Sequence, residues 1–154
     1  MRYLKVVCTG SREWPTDNVA AIHRVLDELL LAKGRIFVAH GAAPGADRMV
    51  HLWVVKTASR DRRLVKLKTF PANWRPNGIF KRSAGFERNE LMVDTVQPDI
   101  VLAFNHNNSG GTTHCTRYAI QNKFETFIFR SDGSIEHWVE GELKERHPEL
   151  VDAD

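Results

Sequence analysis

Apolar and polar positions alternate along the chain in a way that predicts strands and helices in turn. The apolar run at residues 4–9 predicts a short buried strand, which Gly10 ends. A helix follows a cap at Thr16 or Asp17, carries apolar residues at helical spacing, and ends at Gly34. Two further strands follow, at residues 36–39 and at residues 64–70, the second of them near a sheet edge. Between them, the pattern predicts a helix from about Ala46 onward.

The second half of the chain continues this alternation after a long connection at residues 71–85. Connections of this length in a compact domain are usually functional or mobile. The pattern then predicts helices at residues 86–96 and from the loop 105–112 to about residue 122, with strands at 99–104 and 126–129. A turn at residues 131–134 predicts a short antiparallel hairpin strand at residues 135–139.

Strands that alternate with helices indicate an α/β fold with a mainly parallel sheet between two layers of helices. Ligands bind such sheets beyond the carboxyl ends of the strands, where the strand order reverses. We expect the order 3-2-1-4-5, in which the loops after strands one, two and four meet at that point. These loops are residues 10–14, 40–47 and 105–112, and each contains glycine and polar residues.

Length and composition are those of one globular domain. The 154 residues are 42% hydrophobic, and we predict a domain at residues 1–140 followed by a polar, acidic tail at 141–154. No apolar run approaches the roughly 20 residues that cross a membrane, so we expect no membrane partner. Two cysteines argue against a disulfide scaffold, and a cytoplasmic location is the default expectation.

Charge is unevenly distributed along the chain. Residues 56–88 contain ten Lys or Arg and two acidic residues, a net charge of +8, whereas residues 131–154 carry −6. A basic middle suits an anionic partner, either a nucleotide or a nucleic acid. Solvation of exposed faces explains many such charges equally well.

The loop 40–47 leaves a strand and enters a helix, and a helix start offers free N–H groups and a favourable dipole to phosphate. The chain lacks the lysine-containing P-loop and the three-glycine dinucleotide fingerprint. The neighbouring residues His106, His114 and Cys115 match no recognised metal-ligand spacing. Phosphate binding without a metal or a resident cofactor is the interpretation that remains.

Four short motifs, in order along the chain, resemble the SLOG superfamily of Rossmann-like proteins, and within it the YspA-like branch of small bacterial and phage proteins. The resemblance extends over residues 4–129. The motifs are Gly10-Ser11-Arg12 with Trp14, Gly41-Ala42-x-x-Gly45-Ala46-Asp47 with Trp53, Arg88-Asn89-x-x-Met92, and Gly110-Gly111-Thr112.

The resemblance implies a Rossmann-like three-layer sandwich that binds a nucleotide or a nucleotide-derived ligand such as ADP-ribose, as a sensor or a sequestering protein. It also implies a homodimer. The superfamily includes phosphoribohydrolases, which cleave the N-glycosidic bond of a nucleoside monophosphate, and the DNA-uptake protein DprA. In the hydrolases the signature P-G-G-x-G-T-x-x-E supplies a glutamate, but alignment on Gly111-Thr112 puts Cys115 there. A thiol cannot replace a carboxylate beside a ribose, so we favour binding over hydrolysis.

The predicted binding residues come from three loops and the start of one helix. They are Gly10, Ser11, Arg12, Gly41, Ala42, Gly45, Ala46, Asp47, Arg88, Asn89, Gly110, Gly111 and Thr112. The resemblance and the helix starts assign phosphate to Gly110, Gly111 and Thr112, and phosphate or ribose to Gly41, Gly45 and Ala46. Arg88 can clamp phosphate, and Asp47 can bond ribose hydroxyls or simply favour the helix dipole. If the protein is an enzyme, Arg88 and Asp47 are the catalytic candidates.

Several side chains keep two interpretations. Trp14 either stacks on a base or fills a local packing position, and His40 is either a buried, hydrogen-bonded imidazole or an acid–base catalyst. A further alternative function is single-stranded DNA binding, with the basic segment 56–88 along the backbone and Trp74 as a stacking platform.

Overall fold

The computed structural model describes residues 2–146 and contains a seven-stranded sheet with helices on both faces. The strands are β1 (Leu4–Gly10), β2 (Ile36–His40), β3 (Val65–Thr69), β4 (Ile100–Asn105), β5 (Thr126–Arg130), β6 (Ile135–Val139) and β7 (Glu142–Arg146). The helices are α1 (Val19–Lys33), α2 (Ala46–Arg60), α3 (Ala84–Val96) and α4 (Gly110–Gln121). Short 3-10 helices lie at Thr16–Asn18 and Pro76–Gly78.

The strand order is β3-β2-β1-β4-β5-β6-β7, and the first five strands are parallel. The predicted order of the first five strands is therefore confirmed. The order reverses between β1 and β4, which pair from Val6 opposite Ile100 to Gly10 opposite Phe104. The predicted edge position of the third strand is confirmed as well, because β3 pairs with β2 alone within residues 2–146.

Two hydrophobic clusters occupy the two faces of the sheet. Helices α1 and α2 pack on one face, with Ile22, Leu26 and Trp53 among their buried residues. Helices α3 and α4 pack on the other face, with Met92 and Cys115 among theirs. Successive strand residues belong to opposite clusters: Val6 of β1 is part of the first and Val7 of the second. The predicted three-layer α/β sandwich is confirmed.

The C-terminal part of the sheet is antiparallel. The predicted hairpin strand is β6, which pairs antiparallel with β5. Strand β7 then pairs antiparallel with β6, so Glu142–Arg146, predicted as part of a tail, extends the sheet. The rest of the predicted tail, residues 147–154, lies outside the described residues.

Helix α2 begins at Ala46, as predicted, whereas the other helix starts differ from the predicted ones by a few residues. Thr16 and Asp17 form a 3-10 turn and make no side-chain cap to α1, because the chain enters that helix through the turn. Helix α3 begins at Ala84 and α4 already at Gly110. Across residues 2–146, no helix is long and apolar enough to span a membrane.

Candidate functional site

A cleft of about 590 Å³ opens at the strand-order switch, where β1, β2 and β4 end. All three loops predicted to converge contribute to its wall, and the β3–α3 connection with the first turns of α3 forms another side. Most predicted binding residues line the cleft, namely Gly10, Arg12, Gly41, Asp47, Arg88, Asn89, Gly110, Gly111 and Thr112. Ser11, Ala42, Gly45 and Ala46 are not among its lining residues.

The amino terminus of α4 is an open end of the cleft. Ser109 stands at the N-cap position but makes no side-chain cap, because its hydroxyl lies 3.0 Å from Thr112 Oγ1 and 2.6 Å from Ser11 Oγ. The first N–H groups of a helix have no partner within the helix. A methyl group added to Gly110 or Gly111 would meet no atom within 4 Å. Free N–H groups, the helix dipole and open space therefore coincide here, as anion binding requires.

The amino terminus of α2 is closed by backbone instead. The Ala46 N–H donates to the Ser11 carbonyl at 3.0 Å. Gly45 has φ +80°, and a Cβ atom there would lie 2.3 Å from the Arg12 carbonyl oxygen, so glycine is required. The sequence predicted phosphate or ribose at this helix start, but the Ser11 and Arg12 carbonyls occupy the space beside Gly45.

Ser11 connects the loop after β1 to the loop after β4. Its hydroxyl accepts the His106 N–H at 2.8 Å, and its own N–H donates to the Phe104 carbonyl at 2.9 Å. The side chain is 1% exposed. Ser11 therefore holds the two loops in register behind the cleft wall, a role that its position in the motif did not reveal.

Asp47, in the first turn of α2, is 4% exposed. Its Oδ2 accepts the N–H groups of Gly41 at 3.1 Å and Ala43 at 3.2 Å, whereas the buried Oδ1 has no hydrogen-bond partner within residues 2–146. Burial raises the pKa of Asp47 to about 6, although the two N–H bonds and the Arg88 and Arg12 guanidiniums act to lower it. Asp47 thus lines the cleft, and its buried Oδ1 lacks a donor among the described residues.

Arg88 and Asn89 connect the start of α3 to both neighbouring loops. Arg88 Nη1 donates to the carbonyls of Gly41 and, at 3.2 Å, Phe70, and Nε donates to Asn89 Oδ1 at 2.8 Å. Asn89 Nδ2 donates to the Gly111 carbonyl at 3.2 Å. Burial lowers the pKa of Arg88, and the nearby Asp47 carboxylate partly opposes this effect. Within residues 2–146, Nη2 of Arg88 has no bonding partner and stays available to a ligand.

The two tryptophans near the cleft differ in their surroundings. Trp14 is 2% exposed, packs edge-on against Phe104 at 5.9 Å and donates its Nε1–H to the Asn18 carbonyl, so it is a packing residue. Trp74 is half-buried and lines the cleft. The Arg12 guanidinium carbon lies 5.4 Å from the centre of the Trp74 ring.

His40 is a buried imidazole behind the site. Its Nδ1 accepts the Ala42 N–H at 2.9 Å, and its Nε2 lies 3.0 Å from Nδ1 of His51. Because Nδ1 is an acceptor, the neutral ring carries its proton on Nε2. Burial, with the charges of His51 and Arg88, lowers the pKa of His40 to about 4. His40 does not line the cleft, which favours the structural interpretation over acid–base catalysis.

Cys115 is fully buried under α4 and does not line the cleft. Burial raises the pKa of its thiol to about 12, so the thiolate is not available as a nucleophile at neutral pH. The position matched to the hydrolase glutamate therefore holds a neutral core residue.

Several residues of the cleft were not predicted from the sequence. The adjacency of Ser109 to Gly110 and the unusual length of the β3–α3 connection were available signals. The missed lining residues are Thr9, Glu13, Ala43, Phe80, Arg82, Gly85, Phe86 and Ser109.

No group of three His, Cys, Asp or Glu side chains within residues 2–146 is arranged to hold a metal ion. The two histidines that were considered as metal ligands each have a different hydrogen-bond partner. His106 Nδ1 lies 2.5 Å from Ser131 Oγ, and His114 Nε2 lies 3.1 Å from Glu90 Oε2.

Comparison with known proteins supports the grouping suggested by the motifs. The sequence model of the YspA, cpYpsA-related SLOG family matches residues 4–76, from β1 to the connection after β3. The Gene 61 protein of Mycobacterium phage D29 is 33% identical over 115 residues, which is 75% of this chain and 87% of the phage protein.

A solved structure has a similar fold. DNA processing protein A from Helicobacter pylori, whose structure was described for its single-stranded DNA binding mode, superposes with a TM-score of 0.53 at 15% identity. The similarity covers 82% of this chain and 65% of that chain, so this protein spans less than two thirds of its length. This likeness concerns the fold alone. With the family match, the relative and the four motifs together, the chain belongs to the YspA, cpYpsA-related SLOG family.

Proposed function

We propose that the protein binds a nucleotide or a nucleotide-derived ligand in the cleft at the strand-order switch and does not cleave it. The observation that carries this proposal is Asp47 Oδ1, a buried carboxylate oxygen without a partner within residues 2–146. Asp47 is one of the residues that line the cleft, which also contains the open amino terminus of α4. A phosphorylated ribose offers hydroxyl donors for the Asp47 carboxylate and a phosphate anion for the amino terminus of α4.

The phosphate is assigned to the start of α4. The open space beside Gly110 and Gly111 lets an anion approach the free N–H groups. Because Thr112 Oγ1 accepts from Ser109 Oγ, its own hydroxyl proton can be donated to the ligand. Nη2 of Arg88 and the exposed Arg12 add positive charge to the same cleft.

The ribose is assigned to Asp47. With a pKa of about 6, the carboxyl group is largely ionised at neutral pH and acts as an acceptor. Its Oδ2 is already bonded to two backbone N–H groups, which fix the side chain and leave Oδ1 for a hydroxyl. A bond from a ligand hydroxyl would satisfy an oxygen that is otherwise buried at a cost in free energy.

The residues present support binding without hydrolysis. The carboxylates among the described cleft residues are Asp47 and Glu13, and neither matches the glutamate of the phosphoribohydrolase signature. Cys115 at the matched position is buried and neutral. The alternative, a phosphoribohydrolase-like activity with Arg88 and Asp47 in the site, predicts release of free base from a nucleoside monophosphate. Chromatography of AMP incubated with the protein tests it directly.

The binding experiment is calorimetric titration with AMP, ADP-ribose, NAD and cyclic nucleotides, for the native chain and Gly111→Ala. The added methyl enters open space at a helix start, and alanine is a better helix former than glycine by up to about 1 kcal/mol. We therefore expect Gly111→Ala to keep or raise its melting temperature while its affinity for the ligand falls at least tenfold.

Two results would count against this proposal. Failure of every nucleotide to bind the native chain would remove it. Unchanged affinity in Gly111→Ala would show that the ligand does not use the α4 amino terminus.

A second candidate function is binding of single-stranded DNA. The similar solved structure concerns that activity in another protein, and the β3–α3 connection here exposes Arg75, Lys81, Arg82 and Phe80. Positive charge with aromatic side chains suits a single strand. Oligonucleotide binding that weakens steeply with salt and is indifferent to Gly111→Ala would favour this candidate over the mononucleotide.

A further inference from the structure

The connection between β3 and α3 has a defined shape and exposes large apolar side chains. The Lys81 N–H donates to the Trp74 carbonyl at 2.7 Å, and the Ile79 N–H donates to the Pro76 carbonyl at 3.2 Å. Ile79 is 73% exposed and Phe80 54% exposed. Folding gains little from apolar surface that stays in water, so a structured loop that presents it invites a functional explanation.

Trp74 is the member of this loop that reaches the cleft. Its ring stacks on Phe80 with centroids 6.1 Å apart and planes inclined by 21°. A Cβ atom on Gly85 would lie 2.9 Å from Cη2 of Trp74, so glycine at the start of α3 lets the indole lie against that helix. The stacked pair thus has a rigid support on α3, and both rings line the same cleft as Asp47 and Gly111.

One neighbour of the indole can move. The Arg12 guanidinium lies 5.4 Å from the ring centre, and Arg12 is an exposed side chain. A cation–π contact at an exposed site is weak, so an aromatic ligand can replace it. Arg12 also lines the cleft and can turn towards an anion there.

We propose that Trp74 and Phe80 form the nucleobase subsite of the cleft. The base stacks on the Trp74 ring in place of Arg12, and the released guanidinium turns to the phosphate. This inference rests on the proposed function, because it divides the same cleft into a base end and a phosphate end. Stacking reads the face of a base and tolerates different bases, so the subsite accepts any base and favours the larger purines over pyrimidines.

Trp14 supplies the contrast within the same molecule. It is nearly fully buried, its indole N–H is bonded to a backbone carbonyl, and it packs against Phe104. A tryptophan that merely fills space is expected to look like this. Trp74 differs because it is half-buried and lines the cleft.

The test compares AMP with ribose 5-phosphate, which lacks the base, by calorimetric titration of the native chain, Trp74→Ala and Trp138→Phe. Loss of one stacked base is expected to weaken AMP binding about 5- to 150-fold in Trp74→Ala. Ribose 5-phosphate binding should change less than twofold in that variant. Trp138, whose Nε1–H donates to Glu136 Oε1, lies in a different cavity, so Trp138→Phe should bind both compounds as the native chain does.

A second readout is tryptophan fluorescence, since a stacked base should quench Trp74 emission in the native chain and in Trp138→Phe but not in Trp74→Ala. If Trp74→Ala melts at a lower temperature than the native chain, Phe80→Ala replaces it, because Phe80 is 54% exposed. Equal affinity of native protein for AMP and ribose 5-phosphate would overturn the base subsite and leave the proposed function standing. If neither these two compounds nor ADP-ribose, NAD and the cyclic nucleotides bind, the base subsite and the proposed function both fail.

Discussion

Replacement of Asp47 by asparagine tests whether burial, rather than ion pairing, dominates the electrostatics of the cleft. Two effects compete at this carboxyl group. Burial disfavours the charged form, whereas two backbone N–H bonds and the Arg88 charge favour it. The net result is a pKa raised from 3.8 to about 6. At about 1.4 kcal/mol per pH unit, the ionised carboxylate destabilises the folded protein by about 3 kcal/mol relative to the protonated form.

The sign of the pH dependence follows from the two states. Between the unfolded pKa of 3.8 and the folded pKa of about 6, the folded protein binds more protons than the unfolded chain. The Asp47 contribution to stability is therefore fully present below pH 3.8 and is lost as the pH rises through 6. Asp47→Asn lacks this titration. We expect the free energy of unfolding of the variant, minus that of the native chain, to rise by about 2 kcal/mol between pH 4.5 and 7 and then stay level.

Urea denaturation of both proteins at a series of pH values measures this difference, and other titrating groups cancel in it. Asp61→Asn is the control, because the hydrogen bond from the Arg63 side chain lowers the pKa of Asp61. Its titration therefore lies mainly below pH 4.5, and the corresponding difference for Asp61→Asn should stay nearly level between pH 4.5 and 7. A difference that falls with rising pH for Asp47→Asn would show that Asp47 behaves as an ion-pair partner of Arg88. Burial of the unpartnered oxygen would then not be the dominant effect on this carboxyl group.

Three other outcomes follow from the site. AMP affinity should rise between pH 5 and 7 more in the native chain than in Asp47→Asn, because an ionised Asp47 carboxylate accepts a hydrogen bond from a ligand hydroxyl more strongly than the protonated acid or the amide does. Titrations at several pH values check this, and parallel curves would contradict it. Nitrogen NMR should find a His40 pKa of about 4 with the neutral ring protonated at Nε2, and a value near 6.5 would contradict its burial. The free energy of unfolding of Gly45→Ala, measured by urea denaturation, should fall by at least about 2 kcal/mol, because the variant combines a strained φ with a clash against the Arg12 carbonyl. Gly34→Ala is the control and should lose less, because Gly34 has φ +84° but a Cβ atom there would meet no atom within 4 Å.

The sequence sufficed for the sheet and for the convergence of its loops, because both depend on patterns that are local in the chain. Alternating strands and helices fix a parallel sheet, and the reversal at β1 and β4 then brings three loops together. Strand β7 was missed because Glu142–Arg146 is a polar, largely exposed edge segment without an alternating apolar pattern. Such strands form from pairing to a neighbour, which a local pattern does not contain.

The inner organisation of the site was harder to predict, because similar motifs have different tertiary neighbours. Gly45 and Gly111 both stand at helix starts after a strand. Only the contact with Ser11 and Arg12, more than 30 positions away, distinguishes the closed start from the open one. Trp14 and Trp74 likewise differ in what surrounds them rather than in residue type.

The two helix starts place opposite hydrogen-bonding groups, acceptors and donors, on two walls of the cleft. This difference leads to a further prediction. At α2 the backbone N–H groups of Gly41 and Ala43 are taken by Asp47, so that wall presents an acceptor. At α4 the N–H groups are free, so that wall presents donors. Inorganic phosphate satisfies the donors but places a second negative charge in the cleft with an unsatisfied carboxylate. Ribose 5-phosphate satisfies both walls, because its hydroxyls donate to Asp47 Oδ1. We therefore expect ribose 5-phosphate to bind at least tenfold more tightly than inorganic phosphate, with most of that preference lost in Asp47→Asn, as measured by competition against a bound nucleotide. Equal affinities in the native chain would mean that Asp47 faces no ligand group and that its buried oxygen needs another explanation.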